Sequence, residues 1–226
     1  MTAWIPTLPR LGTPASVVGV LLNHRSAWAQ WQPAMNSDPY KAPPKRPVLY
    51  LKPANTWAST GAALVLPEGA SEIVIGACLG VVIGRTAQRV TPEEALDCVA
   101  GYTLVIDAHL PHESIYRPPL KFNARDGYCP MGPQVVPMAP LDAVAQLDLE
   151  TWVDGARAAT LRVGDWVRPL PQLITDITEF MTLSAGDVLL CGTAADAARA
   201  KAGQQVRVCA TGLGELHAHV VAGELA

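Results

Sequence analysis

Phenylalanine is almost missing from this sequence, and long uninterrupted helical patterns are scarce. Two phenylalanines occur among 226 residues, beside 20 prolines and 18 glycines. Proline and glycine interrupt regular structure and favour turns, so this composition predicts many short elements rather than a few long helices. Half of the residues are apolar, which is enough to form one substantial core. With no internal repeat and no convincing linker, the sequence predicts a single domain over residues 1–226, in which residues 1–16 form a short N-terminal extension.

Neither an excess of positive charge nor a long apolar run is present. Seventeen basic against twenty acidic side chains leave a net charge of −3, which argues against binding to a phosphate backbone. Apolar stretches such as Val17–Leu22 are far shorter than the roughly 20 residues of a membrane-spanning helix. The N-terminus lacks the basic segment and apolar run of a secretion signal. We therefore expect a cytoplasmic protein with neither a nucleic-acid nor a membrane partner.

The five cysteines lack the spacing of a metal or redox motif. No two of them form a C-x-x-C pair, and an odd number argues against a framework of disulfides. We expect all five to be reduced, as is usual in the cytosol. They are Cys78, Cys98, Cys129, Cys191 and Cys209.

Apolar periodicity predicts a strand-rich domain with two or three helices. Apolar residues recur at helical spacing over Leu170–Met181, and Thr91–Glu94 has the capping and acidic residues of a helix start, with the helix ending near Gly101. No G-x-G-x-x-G motif follows a strand and no P-loop occurs, so a nucleotide-binding doubly wound fold is excluded and no organic cofactor is expected. The predicted strands are Val17–Leu22, Pro47–Lys52, Ile73–Gly84, Tyr102–Ala108 and Val188–Cys191, followed by a hairpin over residues 206–221.

Several segments, taken in order, resemble the fumarylacetoacetate hydrolase superfamily. They are Leu22-Asn23-His24, Tyr50-Leu51-Lys52-Pro53, Val81-Val82-Ile83-Gly84-Arg85, Gly101-Tyr102 with Asp107, Cys129-Pro130-Met131-Gly132-Pro133, and Phe180-Met181-Thr182-Leu183 with Gly186-Asp187 and Cys191-Gly192-Thr193. Three more segments resemble the N-terminal half of the bifunctional isomerase/decarboxylases of 4-hydroxyphenylacetate (homoprotocatechuate) degradation, which some bacteria split into two subunits. These are Asn23–Ser26, Pro39–Lys45, and Glu113–Pro118 with Arg125-Asp126-Gly127.

The resemblance implies an α+β fold, namely a strand-rich mixed β-roll or flattened barrel with a few peripheral helices. It also implies a homodimer, or a hetero-oligomer with a second homologous subunit. The implied activity is that of a lyase (carboxy-lyase) and isomerase. The implied substrates are 5-oxopent-3-ene-1,2,5-tricarboxylate, which is decarboxylated, and 2-hydroxyhepta-2,4-diene-1,7-dioate, which is isomerised. A divalent cation such as Mg²⁺ would chelate the 2-oxo or 2-hydroxy acid and act as a Lewis acid.

The metal ligands that the resemblance implies are largely replaced in this chain. The family carries a Glu-x-Glu pair, whose positions here hold Gly76 and Cys78, and an Asp, matched by Asp107. Mg²⁺ prefers oxygen ligands, and a thiol is a poor one. Asp107 is therefore the single matching metal ligand. The family's lysine aligns with Asn123. Lys121 could replace it, because on a strand the two side chains would face the same way, or it could be an ordinary solvated lysine.

The remaining site residues are assigned by the resemblance and by the charge of the substrate. A di- or tricarboxylate calls for arginines that bind carboxylates in a bidentate manner. We expect catalytic roles for Lys121, Asp107 and Arg125. We expect substrate contacts from Asn23, His24, Arg117, Asn123, Tyr128 and Thr193.

Three interpretations of function stay open at this point. The chain is an active isomerase/decarboxylase subunit, or it is a non-catalytic partner half whose second subunit carries the metal. The third possibility is another hydrolase or oxo-acid decarboxylase of the superfamily. The full set of subgroup segments favours the first, and the missing Glu-x-Glu pair favours the second. Because the other branches depend on the metal, the same absence counts against the third.

Overall fold

The structure is a computed structural model that describes residues 16–112, 119–137 and 139–223. Thirteen β-strands and five short α-helices lie within these ranges. The strands are β1 Val17–Leu21, β2 Val48–Leu51, β3 Trp57–Ala58, β4 Ala62–Leu66, β5 Ile73–Ile83, β6 Val99–His109, β7 Cys129–Pro137, β8 Asp148–Val153, β9 Ala156–Arg162, β10 Val188–Leu190, β11 Ala198–Ala200, β12 Gln205–Ala210 and β13 Gly214–Ala222. The helices are α1 Arg25–Trp31, α2 Pro92–Ala95, α3 Leu120–Asn123, α4 Leu141–Ala145 and α5 Leu170–Thr178.

The strands form two mixed sheets. The larger has the order β2-β1-β10-β5-β6-β7-β3, with β11 pairing with the start of β5, and the smaller has the order β4-β13-β12-β8-β9. The pairs β1–β10, β3–β7 and β4–β13 are parallel, and the other pairs are antiparallel. The predicted strand-rich mixed fold with few helices is confirmed. The predicted C-terminal hairpin is present as β12 and β13.

Helix α5 covers one face of the core, as its apolar spacing predicted. Leu173, Ile174 and Ile177 are fully buried in the larger of two apolar clusters, which fills the space between α5 and the two sheets. The helix was predicted to end at Met181 but ends three residues earlier, at Thr178. The chain turns there, and Leu183 then pairs with Ala87. Phe180, expected on the apolar face, is consequently 70% exposed.

The predicted boundary before β6 is also shifted. The capping box forms, with the Glu94 side chain accepting from the Thr91 amide at 3.0 Å, but the helix is one α-turn followed by a 3₁₀ turn. The strand therefore begins at Val99, and Gly101 lies inside it rather than before it. A Cβ at Gly101 would lie 2.0 Å from the carbonyl oxygen of Val136, so the close approach of β6 and β7 requires glycine here.

A second, smaller cluster lies on the opposite face of β5 and β6 and positions the candidate site. Side chains alternate between the two faces of a strand, so Cys78 and Val82 of β5 point into this cluster with Val105 of β6. Asp107 follows Val105 by two residues and faces the same side. None of the helices described in the structure is long and apolar enough to cross a membrane.

Candidate active site

A lysine and an aspartate form a buried ion pair near the end of β6. Lys52 follows β2 directly, and its Nζ lies 2.7 Å from Oδ1 of Asp107. The two residues are 1% and 6% exposed. The same Nζ donates to the carbonyl oxygens of Ala108 at 2.8 Å, Asn123 at 2.9 Å and Tyr128 at 3.3 Å. A buried ion pair offsets its desolvation only when such additional hydrogen bonds satisfy the ammonium group, and these four oxygens do so.

The other oxygen of this carboxylate is bound by a tyrosine. The hydroxyl of Tyr50 donates to Oδ2 of Asp107. The Tyr50 ring lies over Gly19 of the neighbouring strand, where a Cβ would be 2.1 Å from Cζ of the ring. Burial, followed by the charge of Asp107, raises the pKa of Tyr50 well above its ordinary value. The phenol therefore stays protonated near neutral pH, and both oxygens of Asp107 accept bonds from the protein itself.

The space beside Asp107 on β5 is filled by a threonine methyl group. Gly76 pairs with Asp107 across the sheet, and a Cβ at Gly76 would lie 2.7 Å from both the Asp107 carbonyl oxygen and Cγ2 of Thr193. Cys78, two residues further along the strand, is fully buried. Burial raises the pKa of its thiol well above the ordinary value, so this side chain remains a neutral thiol.

A cavity of about 200 Å³ opens next to Tyr50. Helix α1, the end of β6 and the segment that begins at Thr193 form its walls. His109 lies in it, two residues after Asp107, with its Nδ1 3.0 Å from the Leu110 carbonyl oxygen. Burial lowers the pKa of His109, which favours the neutral imidazole. The rings of His109 and His112 are 5.3 Å apart.

The model of the family described as "Fumarylacetoacetate (FAA) hydrolase C-terminal" matches residues 16–221. The chain belongs to the fumarylacetoacetate hydrolase family. Among curated relatives, the 4-hydroxyphenylacetate degradation bifunctional isomerase/decarboxylase of Salmonella dublin is 40% identical over 207 residues, which are 92% of this chain and 47% of that enzyme. The Escherichia coli protein of the same name is 39% identical over 206 residues, 91% and 47% of the two chains. The chain spans about half the length of these relatives.

Solved structures of this family share the fold. The 2-hydroxyhepta-2,4-diene-1,7-dioate isomerase of Mycobacterium marinum superposes with a TM-score of 0.77 at 26% identity, covering 94% of this chain and 76% of that one. The fumarylpyruvate hydrolase of Pseudomonas aeruginosa also reaches 0.77, at 20% identity, and covers 93% and 91%.

The divalent cation implied by the fumarylacetoacetate hydrolase family does not fit the residues of this chain. Of the three carboxylates that the family supplies, only Asp107 remains, and Lys52 and Tyr50 already bind its two oxygens. A hard cation such as Mg²⁺ needs several oxygen ligands, and Gly76 and Cys78 offer none. The described residues contain no group of three His, Cys, Asp or Glu side chains suited to a metal ion. This geometry argues against Asp107 as a metal ligand.

Two of the expected substrate-binding residues hold the backbone together. Asn23 donates from Nδ2 to the Cys191 carbonyl oxygen at 3.0 Å and accepts the Arg168 amide at 3.0 Å. His24 caps α1, with Nδ1 2.7 Å from the Ser26 hydroxyl. Its Nε2 is buried and has no hydrogen-bond partner in the described part of the chain. Burial lowers the pKa of His24, which favours the neutral imidazole, and its expected role in substrate binding remains a prediction.

Lys121 and Arg125 lie apart from Asp107 and its cavity. The expected strand at Lys121 is instead the helical turn α3, and residues two apart on a helix point in different directions. The prediction that Lys121 and Asn123 face the same way is therefore wrong: Lys121 is exposed and Asn123 is buried. With Arg125 and Tyr128, Lys121 lines a surface groove of about 430 Å³. Their expected roles in catalysis or substrate binding remain predictions, which this placement does not favour.

The structure brings Asp107, Asn123 and Thr193 together and leaves one expected residue undescribed. Thr193 lines the cavity, and Asn123 contributes its backbone oxygen to Lys52 rather than an amide to a ligand. Arg117 lies outside the described residues.

Sequence reasoning missed Tyr50 and Lys52 as site residues. Both stand in the segment Tyr50-Leu51-Lys52-Pro53, which contributed to the resemblance without any role being assigned to its side chains. Asp107 matches a metal ligand, and without the metal its buried carboxylate needs another positive charge. Lysine is rarely buried without a partner. The lone Asp107 was therefore the signal that a lysine of this chain could lie where the metal would bind.

Proposed function

We propose that this chain is the metal-free half of an isomerase/decarboxylase of 4-hydroxyphenylacetate degradation. In this proposal a second, homologous domain or subunit carries the divalent cation. The substrates of the assembled enzyme are 2-hydroxyhepta-2,4-diene-1,7-dioate and 5-oxopent-3-ene-1,2,5-tricarboxylate.

The observation that carries the proposal is that both carboxylate oxygens of Asp107 are already bound by side chains of the protein. These two oxygens are bound by Lys52 and Tyr50, and the methyl group of Thr193 fills the space where Gly76 lacks a side chain. Decarboxylation of a 2-oxo acid needs an acceptor for the electrons left on carbon, and a metal is one such acceptor. Lys52 cannot serve as a substitute acceptor, because its Nζ is fully engaged by four protein oxygens.

The relatives support the choice of pathway and the idea of a companion half. The two relatives near 40% identity are both named as bifunctional isomerase/decarboxylases, and this chain spans about half of each. A structural neighbour is named as a 2-hydroxyhepta-2,4-diene-1,7-dioate isomerase. The fumarylpyruvate hydrolase neighbour was solved in complex with Mn²⁺ and pyruvate, which supports a divalent cation in the half that keeps the carboxylates.

The competing proposal is that the chain alone is an active, metal-dependent isomerase/decarboxylase. It requires Asp107 to release Lys52 and then to bind a cation without a second carboxylate from the family's Glu-x-Glu positions, which hold Gly76 and Cys78. Other metal-dependent hydrolases or oxo-acid decarboxylases of the family face the same difficulty.

The test compares the full-length chain alone with its complex with the companion half. Metal content is measured by mass spectrometry after loading with Mg²⁺ or Mn²⁺, and turnover is followed by diene absorbance and carbon dioxide release. We expect metal and turnover in the complex and neither in the chain alone. Mg²⁺-dependent turnover by the isolated chain would overturn the proposal and support its competitor.

A further inference from the structure

The cavity beside Tyr50 has the chemistry of a small-anion site. None of the described residues that line it is an aspartate or a glutamate, and most are small or aliphatic. At about 200 Å³ it is smaller than the roughly 300–1,000 Å³ typical of drug-sized ligands, so it suits a small acid. Besides Tyr50, its polar and aromatic lining residues are Gln30, Trp31, His109, His112, Thr193 and Arg199.

Arg199 carries the single permanent positive charge among the described lining residues. It lies on β11 opposite Val74 of β5, and its Nη1 donates to Oε1 of Glu72. The Arg199 side chain is 57% exposed and that of Glu72 is 21% exposed. A guanidinium has five N–H donors, and the bond to Glu72 is the one side-chain hydrogen bond of Arg199 within the described ranges. Donors therefore remain for a second carboxylate.

The floor of the cavity does not repel an anion. The carboxylate of Asp107 is bound by the lining residue Tyr50, and its charge is compensated by Lys52 at 2.7 Å. Two flat rings line the cavity, Trp31 from α1 and His109 from β6. Flat rings suit a conjugated chain, which is apolar along its faces and charged at its ends.

We propose that Arg199 anchors a carboxylate of a conjugated acid at the mouth of this cavity, with the carbon chain held between Trp31 and His109. The class of acid is taken from the proposed function, on which this inference rests. The new element is Arg199 as the residue that selects for a charged ligand. Since Gly76 and Cys78 replace the two glutamates that hold the metal in the family, arginine takes over the recognition of the acid.

The test measures binding rather than turnover, so it is independent of the companion half. Isothermal titration calorimetry uses the full-length chain, alone and in the complex, with three probes of one carbon skeleton: trans,trans-muconate, sorbate and the neutral sorbic alcohol. The variants are Arg199→Gln, which removes the charge, and Arg199→Lys, which keeps it. Arg157→Gln is the matched control, because Arg157 is 58% exposed, is paired with Glu150 and does not line the cavity.

We expect both acids to bind and the alcohol to bind at least about tenfold more weakly, since a charge-assisted contact is worth about one decade of affinity at a partly exposed site. Arg199→Gln should lose about tenfold for the acids, Arg199→Lys should recover part of it, and Arg157→Gln should match the parent chain. Equal affinity of Arg199→Gln and the parent chain, equal affinity for acid and alcohol, or no binding by either preparation overturns the inference. Such results leave the proposed function to its own test, because turnover by the complex is a separate measurement.

Discussion

Charged side chains are compensated differently in two regions of the molecule. One is the group of Asp107, Lys52 and Tyr50, here called the Asp107 cluster, and the other is the surface groove beside Lys121. In the cluster, Lys52 and Asp107 are buried and bind each other, and Lys52 also donates to three backbone carbonyl oxygens. In the groove, Lys121 is exposed and Arg125 lies at the surface beside Asp126. Water can compensate the charges of the groove, whereas only protein atoms can compensate those of the cluster. Asp107, which matches a metal ligand of the family, is therefore a buried residue whose charge is compensated by the protein itself.

Removing the ammonium group should produce the largest effect and is the sharpest test of this contrast. Lys52→Met leaves the Asp107 carboxylate buried without its cation, so the free energy of unfolding should fall by about 3–5 kcal/mol. The exposed counterpart Lys121→Met should change it by no more than about 0.5 kcal/mol. Urea unfolding followed by circular dichroism measures both.

The double variant Lys52→Met/Asp107→Asn separates charge from packing. Neutralising the aspartate should restore part of the stability lost in Lys52→Met. If the double variant is as unstable as the sum of the two single variants, the loss comes from packing rather than from the unpaired charge.

Rebuilding the family's carboxylates should fail to create a metal site. In Gly76→Glu/Cys78→Glu, the new side chain at residue 76 meets the Thr193 methyl group and the Asp107 carbonyl oxygen at 2.7 Å. Overpacking of this kind costs about 1–3 kcal/mol, and Asp107 stays bound to Lys52. Unfolding measurements should show the loss, and calorimetry with Mn²⁺ should show no binding. Tight Mn²⁺ binding would mean that Lys52 yields easily to a metal.

Stability should fall as the solution becomes acidic, because burial lowers the pKa of both His24 and His109. The unfolded chain then takes up protons that the folded chain does not, so stability is complete above about pH 6.5 and declines below it. Each such proton contributes at most about 1.4 kcal/mol per pH unit. Thermal unfolding between pH 5 and 8 measures the decline, and His24→Asn, which keeps a capping side chain, should reduce it. An unchanged slope in His24→Asn and in His109→Gln would assign the decline to other groups.

The smallest effect is expected in the groove. Arg125→Ala should change the affinity for muconate by less than about twofold, since a solvent-exposed charge contributes little. Calorimetry measures muconate binding to Arg125→Ala and to Arg199→Gln under the same conditions, so the two losses of affinity can be compared directly. A tenfold loss in Arg125→Ala would place the acid in the groove and restore the expectation drawn from the sequence.

The family and the strand-rich fold were predictable, because they rest on motif order and apolar periodicity over most of the chain. The site was only partly predictable. The loss of the carboxylates at residues 76 and 78 was visible in the sequence, but the partner of Asp107 was not: Lys52 lies 55 positions away along the chain and meets it only through the pairing of β2, β1, β10, β5 and β6. The predicted orientation of Lys121 was wrong because residues 120–123 form a helical turn rather than a strand. Four residues are too few to give a periodic signal in the sequence.

The parallel pairing of β1 with β10 has a consequence for how the chain folds. Val17 is in register with Val188, and the Ser16 amide donates to Asp187 at 2.8 Å. Asn23 likewise bonds to Cys191. Strand β1 thus finds its central neighbour β10 only after about 170 further residues have been made. Contacts so distant in sequence slow folding, and until β10 is made one edge of β1 lacks its partner strand, which favours aggregation.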